Sequence, residues 1–121
     1  MTKTTETERM VLVRRRLHEF VRARDWEQFH TPKNLVMALT GEVGELAEQL
    51  QWLTCEQSES LDEDTQAAVR DEIADTQIYL LLLADRLGID LPLAVEAKIQ
   101  KNEGKYPVDR ARGNAHKYTE L

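Results

Sequence analysis

The sequence predicts an all-α protein, a four-helix-bundle-like arrangement built on an antiparallel helical hairpin and assembled as an oligomer. Three observations carry that reading. Apolar residues recur at three- and four-residue steps along most of the chain, and no stretch alternates as a half-buried strand would. Residues that start and stop helices stand at the ends of the periodic segments. At 121 residues, the chain has room for one domain with a modest core.

The first helix is predicted from about Glu6 to Arg24, with Met10, Val13, Leu17, Phe20 and Val21 on its apolar face. "RDWEQFHTP" then breaks the pattern. Thr31 supplies an N-cap and Pro32 suits the first helical turn, so a second helix is predicted from about Pro32 to Leu53. "TCEQSES" reads as a polar connection, and a third helix should run from about Leu61 to Leu87, ended by Gly88 in the left-handed C-terminal position. Asp90 caps a fourth, about Leu91 to Asn102, which stops near Gly104 and Pro107. Residues 108–121 show little periodicity and read as an irregular tail of the single domain 1–121. Within the third helix "IYLLLLA" is apolar around its full circumference. A four-helix monomer of this size has little means of burying it on every side, which predicts self-association with this helix at the subunit interface.

Composition bounds the function. The chain is 41% hydrophobic and 31% charged, which is globular rather than disordered. A net charge of −6 argues against a general partner of nucleic-acid polymers or anionic membranes. Arg14, Arg15 and Arg16, and the basic group from Lys98 to Arg112, are solvated faces by default, although either could meet phosphates. Cys55 is alone, so neither an intrachain disulfide nor a cysteine metal site is available. The longest apolar run, Ile78 to Ala84, is too short to span a bilayer, and no signal peptide opens the sequence. The expectation is a soluble cytoplasmic protein.

The chemistry concentrates in "GEVGELAEQLQW", residues 41–52. On a helical wheel Leu35, Val36, Leu39, Val43, Leu46, Leu50 and Leu53 form the core arc, and Glu42 and Glu45 border it, while Glu48 points to solvent. "RDEIADTQIYL" repeats the arrangement in the third helix with Glu72 and Asp75, and Tyr79 falls between them in angle. Both pairs lie at nearly equal distance from the connecting loop, so an antiparallel hairpin brings four carboxylates to one level. Such a group raises its own pKa values unless a cation neutralises it. Oxygen-only ligands favour a hard ion, Mg²⁺ or Mn²⁺. Either pair alone is better read as solvated charge; the two at matched level favour metal. A di-iron site would need an ExxH pair on each of two helices, and only Glu27 to His30 has that spacing. Gly41 lies near Trp52 on the wheel and leaves space there, whereas Gly44 has no evident role.

Aromatic residues near a metal–phosphate site can sandwich a nucleobase. Trp26, Phe29 and His30 cluster between the first two helices, and Trp52 shares the sector of Glu45. Without further information, core or interface packing is the safer reading of both tryptophans. Lys98 and Asn102 share a face of the fourth helix, with Lys105 and Tyr106 just beyond; they suit a polyphosphate or an ordinary solvated helix end.

"ExxE", 26 intervening residues, then "ExxD" resembles the signature of the all-α nucleoside triphosphate pyrophosphohydrolases of the MazG-like superfamily. "RDWEQFHTPKNL", "ALTGEVGELAEQLQW", "DEIADTQIYLLLLADRLGIDLP", "KIQKNEGKYPV" and "RGNAHKYTEL" look like its dCTP pyrophosphatase branch, from about Leu17 onward. The resemblance implies a homotetramer that hydrolyses a nucleoside triphosphate to the monophosphate and pyrophosphate. It implies Mg²⁺ on Glu42, Glu45, Glu72 and Asp75, with Glu45 and Glu72 the candidate catalytic residues. Four carboxylates exceed what one Mg²⁺ takes from protein, so either two or more ions bind with substrate or one carboxylate acts as general base, for which Glu45 is the choice. His18, Trp26, His30, Trp52 and Tyr79 would line the nucleoside pocket, and Lys98, Asn102, Lys105 and Tyr106 would approach the phosphates. One departure is the spacing from His18 to Trp26, which looks one residue shorter than in the animal enzymes. The competing readings are the same chemistry on dUTP or another non-canonical triphosphate, and an acidic helical oligomer that binds nucleotide or protein without turnover.

Overall fold

The computed structural model describes residues 2–121. They divide into two compact units, one reaching to Leu87 and the other Gly88–Leu121. Every regular element among the described residues is helical. The first unit holds α1 (Glu6–Ala23), α2 (Pro32–Leu50), the one-turn α3 (Cys55–Ser58) and α4 (Glu63–Arg86). The second holds α5 (Leu91–Lys105) and the short α6 (Val108–Ala111).

Local chemistry sets these boundaries. The Thr5 hydroxyl accepts the Glu8 N–H at 3.1 Å, and the Glu8 carboxylate accepts the Thr5 N–H at 2.8 Å, a reciprocal cap that starts α1. After α1, Asp25 takes a left-handed φ of 54°, a conformation aspartate tolerates better than most residues. The turn brings the Trp26 N–H to the Val21 carbonyl at 3.1 Å and sets the Trp26 ring edge-on to Phe20 at 5.6 Å. Thr31 caps α2 by accepting the Asn34 N–H at 3.2 Å, with Pro32 in the first turn as the sequence predicts.

Helix α2 ends three residues before the predicted Leu53, because Thr54 opens a new helix. Its hydroxyl accepts the Gln57 N–H while the Gln57 side chain accepts the Thr54 N–H, so residues 51–53 become the turn into α3. Asp62 caps α4 by accepting the Thr65 N–H at 2.7 Å, and Gly88 ends it at φ 67° as predicted. Asp90 likewise caps α5. That helix continues to Lys105, three residues past the predicted end, since a glycine such as Gly104 costs a helix only about 1 kcal/mol relative to alanine. The tail is more ordered than predicted: α6 forms within it, and a 3₁₀ turn spans Tyr118–Glu120. Its anchor is Tyr118, whose ring lies 4.8 Å from the Lys105 ammonium and edge-on to Tyr106 at 6.1 Å.

In the first unit α2 and α4 are the principal packing partners. Leu35 near the start of α2 meets Leu82 near the end of α4, which makes the pair antiparallel, and Val21 of α1 completes the buried cluster. Leu17, Ile78, Tyr79 and Leu83 pack around it. One partner helix covers a narrower stripe than the arc predicted for α2: Leu35 is buried, but Val36 and Val43 remain exposed. Conversely, the chain itself buries Leu81, Leu82 and Ala84 of "IYLLLLA" and leaves Leu80 exposed, so only part of that segment needs other cover. No helix described is long and apolar enough to cross a membrane.

Candidate metal centre

The antiparallel pairing of α2 and α4 brings together three of the four carboxylates expected at one level. Glu42 and Glu45 stand one turn apart on α2, and Glu72 comes to meet them from α4. One oxygen of each lies within 4.8 Å of the other two. Asp75, one turn on from Glu72, is outside this trio but lines a cavity together with Glu42. Glu48 is exposed, as the wheel predicts.

The electrostatics are those of negative charges forced together. Burial, first, then the hydrogen bond with Glu72, and then the charges of Glu45 and Asp75 push Glu42 up to about 7. Glu72 is also raised: the hydrogen bond with Glu42 lowers it, but burial and the charges of Glu45 and Asp75 outweigh that. Tyr79 is raised by burial and by the charges of Glu42 and Asp75. Meanwhile, the Oε2 atoms of Glu42 and Glu72 are buried with no hydrogen-bond partner. Buried carboxylate oxygens without a donor are costly. A hard divalent cation relieves both the repulsion and the missing partners, and a donor set made only of carboxylates fits one.

Beside the carboxylates lies a cavity of about 460 Å³. Val13, Leu17, Phe20, Val21, Ile78 and Leu82 give it an apolar wall. Its polar lining comes from Arg16, Trp26, His30, Glu42, Asp75 and Tyr79. Three of the five residues expected to meet a nucleoside, Trp26, His30 and Tyr79, are therefore on this cavity. Trp52 borders no cavity described and is 86% exposed. His18 is turned away: its Nε2 lies 2.8 Å from Asp85 Oδ2, and it borders a second cavity of about 280 Å³ that shares Val21, His30 and Leu82 with the first. Neither Gly41 nor Gly44 has an atom within 4 Å of where a Cβ would stand. In the second unit Lys98, Lys105 and Tyr106 are exposed on α5 and its C-cap, and Asn102 is half-buried.

Sequence reasoning missed two groups. The α1 residues Val13, Leu17 and Phe20 read as core face and form a cavity wall, with Leu17 packing against the core as well. Asp85, read only as pointing away from the carboxylate pairs, joins Arg14 and His18. The four-residue step between Arg14 and His18 was visible, but their common partner lies 67 residues beyond His18.

An all-helical fold with clustered acidic side chains at one level of an antiparallel helix pair defines a class of carboxylate-rich α-proteins. Within that class the assignment is narrower, since the model of the MazG-like family matches residues 39–121. The chain belongs to the MazG-like family. The dCTP pyrophosphatase 1 proteins of Bos taurus and Homo sapiens are each 51% identical to it over 110 residues, 88% of this chain and 65% of theirs. The chain thus spans about 65% of the length of these curated relatives. A solved structure of a pyrophosphatase from Archaeoglobus fulgidus superposes with a TM-score of 0.75 at 38% identity, covering 88% of this chain and 97% of that one.

Proposed function

We propose that this protein is a Mg²⁺-dependent nucleoside triphosphate pyrophosphohydrolase acting on dCTP or a modified dCTP, a cytoplasmic enzyme of nucleotide-pool house-cleaning. The observation that carries the reading is the pair of unpartnered buried oxygens on Glu42 and Glu72, clustered with Glu45 beside a largely apolar cavity. The names of the relatives support the substrate and the reaction. The family match crosses both compact units, which supports reading residues 1–121 as one catalytic domain.

Glu42, Glu45, Glu72 and Asp75 would hold the metal. Bound there, Mg²⁺ or Mn²⁺ would supply charge neutralisation of the phosphoryl oxygens and activation of water. The chain's own groups do the rest. Glu45 is the most solvent-facing of the clustered carboxylates and takes the proton from the attacking water. The water oxygen bonds to the α-phosphorus as the bond from that phosphorus to the α–β bridging oxygen breaks, and pyrophosphate leaves with the bridging oxygen. Trp26, His30 and Tyr79 enclose the base against the apolar wall, with Trp52 closing over it on assembly or substrate binding. Lys98, Asn102, Lys105 and Tyr106 are assigned to the phosphates by their chemistry. The proposed assembly is a homotetramer.

The test is pyrophosphate release from a panel of canonical and modified nucleotides, with and without Mg²⁺. Release from dCTP or its modified forms that requires Mg²⁺, with Glu45→Gln and Glu72→Gln each lowering kcat by about 100-fold or more, is the expected result. Hydrolysis that survives either substitution removes the carboxylates from catalysis. Preference for dUTP or another triphosphate keeps the chemistry and replaces the substrate. Nucleotide binding indifferent to Mg²⁺, with no turnover, identifies a binding protein instead.

A further inference from the structure

Helix α1 forms a wall of the large cavity, yet most of its apolar face is only half covered. Met10, Val13 and Phe20 are all exposed, and Val21 alone on that face is buried. A polar contact joins α1 to α4. Arg14 and His18, one turn apart on α1, both reach the carboxylate of Asp85 on α4. The Arg14 guanidinium donates through Nη2 to Oδ1 and through Nε to Oδ2, and His18 Nε2 is 2.8 Å from Oδ2. The Asp85 side chain is only 16% exposed. Apart from the carboxylate cluster, where Glu42 meets Glu72, every other side-chain hydrogen bond among the described residues spans five residues or fewer, so this is the polar side-chain tie between α1 and α4.

The consequence follows from where α1 and α4 stand. Val13, Leu17 and Phe20 line the cavity from α1, and Ile78, Tyr79 and Leu82 line it from α4. The separation and rotation of these two helices therefore set the width of the cavity. Apolar contact is non-directional and lets helices slide. A guanidinium bound through two nitrogens and an imidazole on the same carboxylate fix both position and rotation. His18, expected among the nucleoside contacts, points at Asp85 and not into the large cavity.

We infer that Arg14, His18 and Asp85 form a pin that holds α1 against α4 and so fixes the base-selecting width of the cavity. His18 and Asp85 are thus positioning residues for nucleoside recognition, not contacts to the nucleoside. The inference rests on the pyrophosphohydrolase reading and deepens it.

Inorganic tripolyphosphate separates the two, because it carries the phosphate chain without a base. The experiment measures KM for the preferred nucleotide and the inhibition constant of tripolyphosphate against it, for the intact chain and for Asp85→Asn, His18→Leu and His18→Gln. Asp85→Asn and His18→Leu should raise the nucleotide KM by about tenfold, the scale of a lost pocket contact, while tripolyphosphate inhibition moves less than about twofold. His18→Gln retains a nitrogen donor at the same reach and should restore KM to near the unsubstituted value. An unchanged nucleotide KM in Asp85→Asn, an equal shift for tripolyphosphate, or no rescue by glutamine overturns the pin. If Asp85→Asn does not fold, the comparison of His18→Leu with His18→Gln decides alone. A wild-type chain that releases no pyrophosphate from any nucleotide overturns the functional reading instead. Wild-type turnover with an unmoved variant KM overturns only the pin.

Discussion

Glu42 shows how one residue links stability to ligand binding. Its carboxyl is pushed up to about 7 from an ordinary value near 4.5, by burial before all else. A group whose folded pKa is raised holds its proton in the native state over a range where the unfolded chain has lost it. Between those two values the folded state binds more protons, and so stability falls as pH rises. The metal-free protein should therefore melt at progressively lower temperature from about pH 5 to pH 7.5. Glu42→Gln, which cannot ionise, should flatten that slope in a series of thermal melts. Millimolar Mg²⁺ should raise the melting temperature most at the alkaline end, where the carboxylates are free to bind it. A melting temperature that climbs with pH in the intact metal-free chain would refute the raised pKa of Glu42.

At the scale of elements, α1, α2 and α4 meet at Leu35, which is 1% exposed and packed with Val21 and Leu82. Leu35→Ala should cost about 2–5 kcal/mol, read as a lower midpoint in urea with an unchanged slope. So large a loss from one residue is expected because the first unit has few other buried side chains to share it. The same elements show what the sequence could and could not disclose. The helices were legible from their periodicity, and Thr31, Asp90 and Gly88 marked ends that the structure keeps. The meeting of Glu42 and Glu45 with Glu72 was legible too, because an antiparallel pair turns equal distance from a loop into equal height. Helix α3 was legible in principle: "TCEQ" is a capping box, and its polar composition hid it. The left-handed Asp25 and the docking of Tyr118 on Lys105 depend on contacts that no local pattern encodes. Asp85 is the plainest case, since nothing in periodicity links a carboxylate on α4 to Arg14 and His18 on α1.

For the whole molecule, uncovered apolar surface is the deciding quantity. Val11 and Leu12 on α1, Val43 on α2 and Ile73 on α4 are each near half exposed or more. Apolar surface on three helices of one unit supports self-association, and the proposed homotetramer is one assembly that would cover it. Light scattering at micromolar concentration should return four times the 14.0 kDa of one chain. The melting temperature should rise with protein concentration, as it does when folding and assembly are one equilibrium. Leu12→Glu and Ile73→Glu place charges on the exposed apolar faces of two helices, and each should lower the assembled mass by opposing apolar burial at an interface. A stable, monodisperse monomer whose melting is independent of concentration would show that these faces are covered in some other way, and Trp52 would then have no neighbouring subunit to close against.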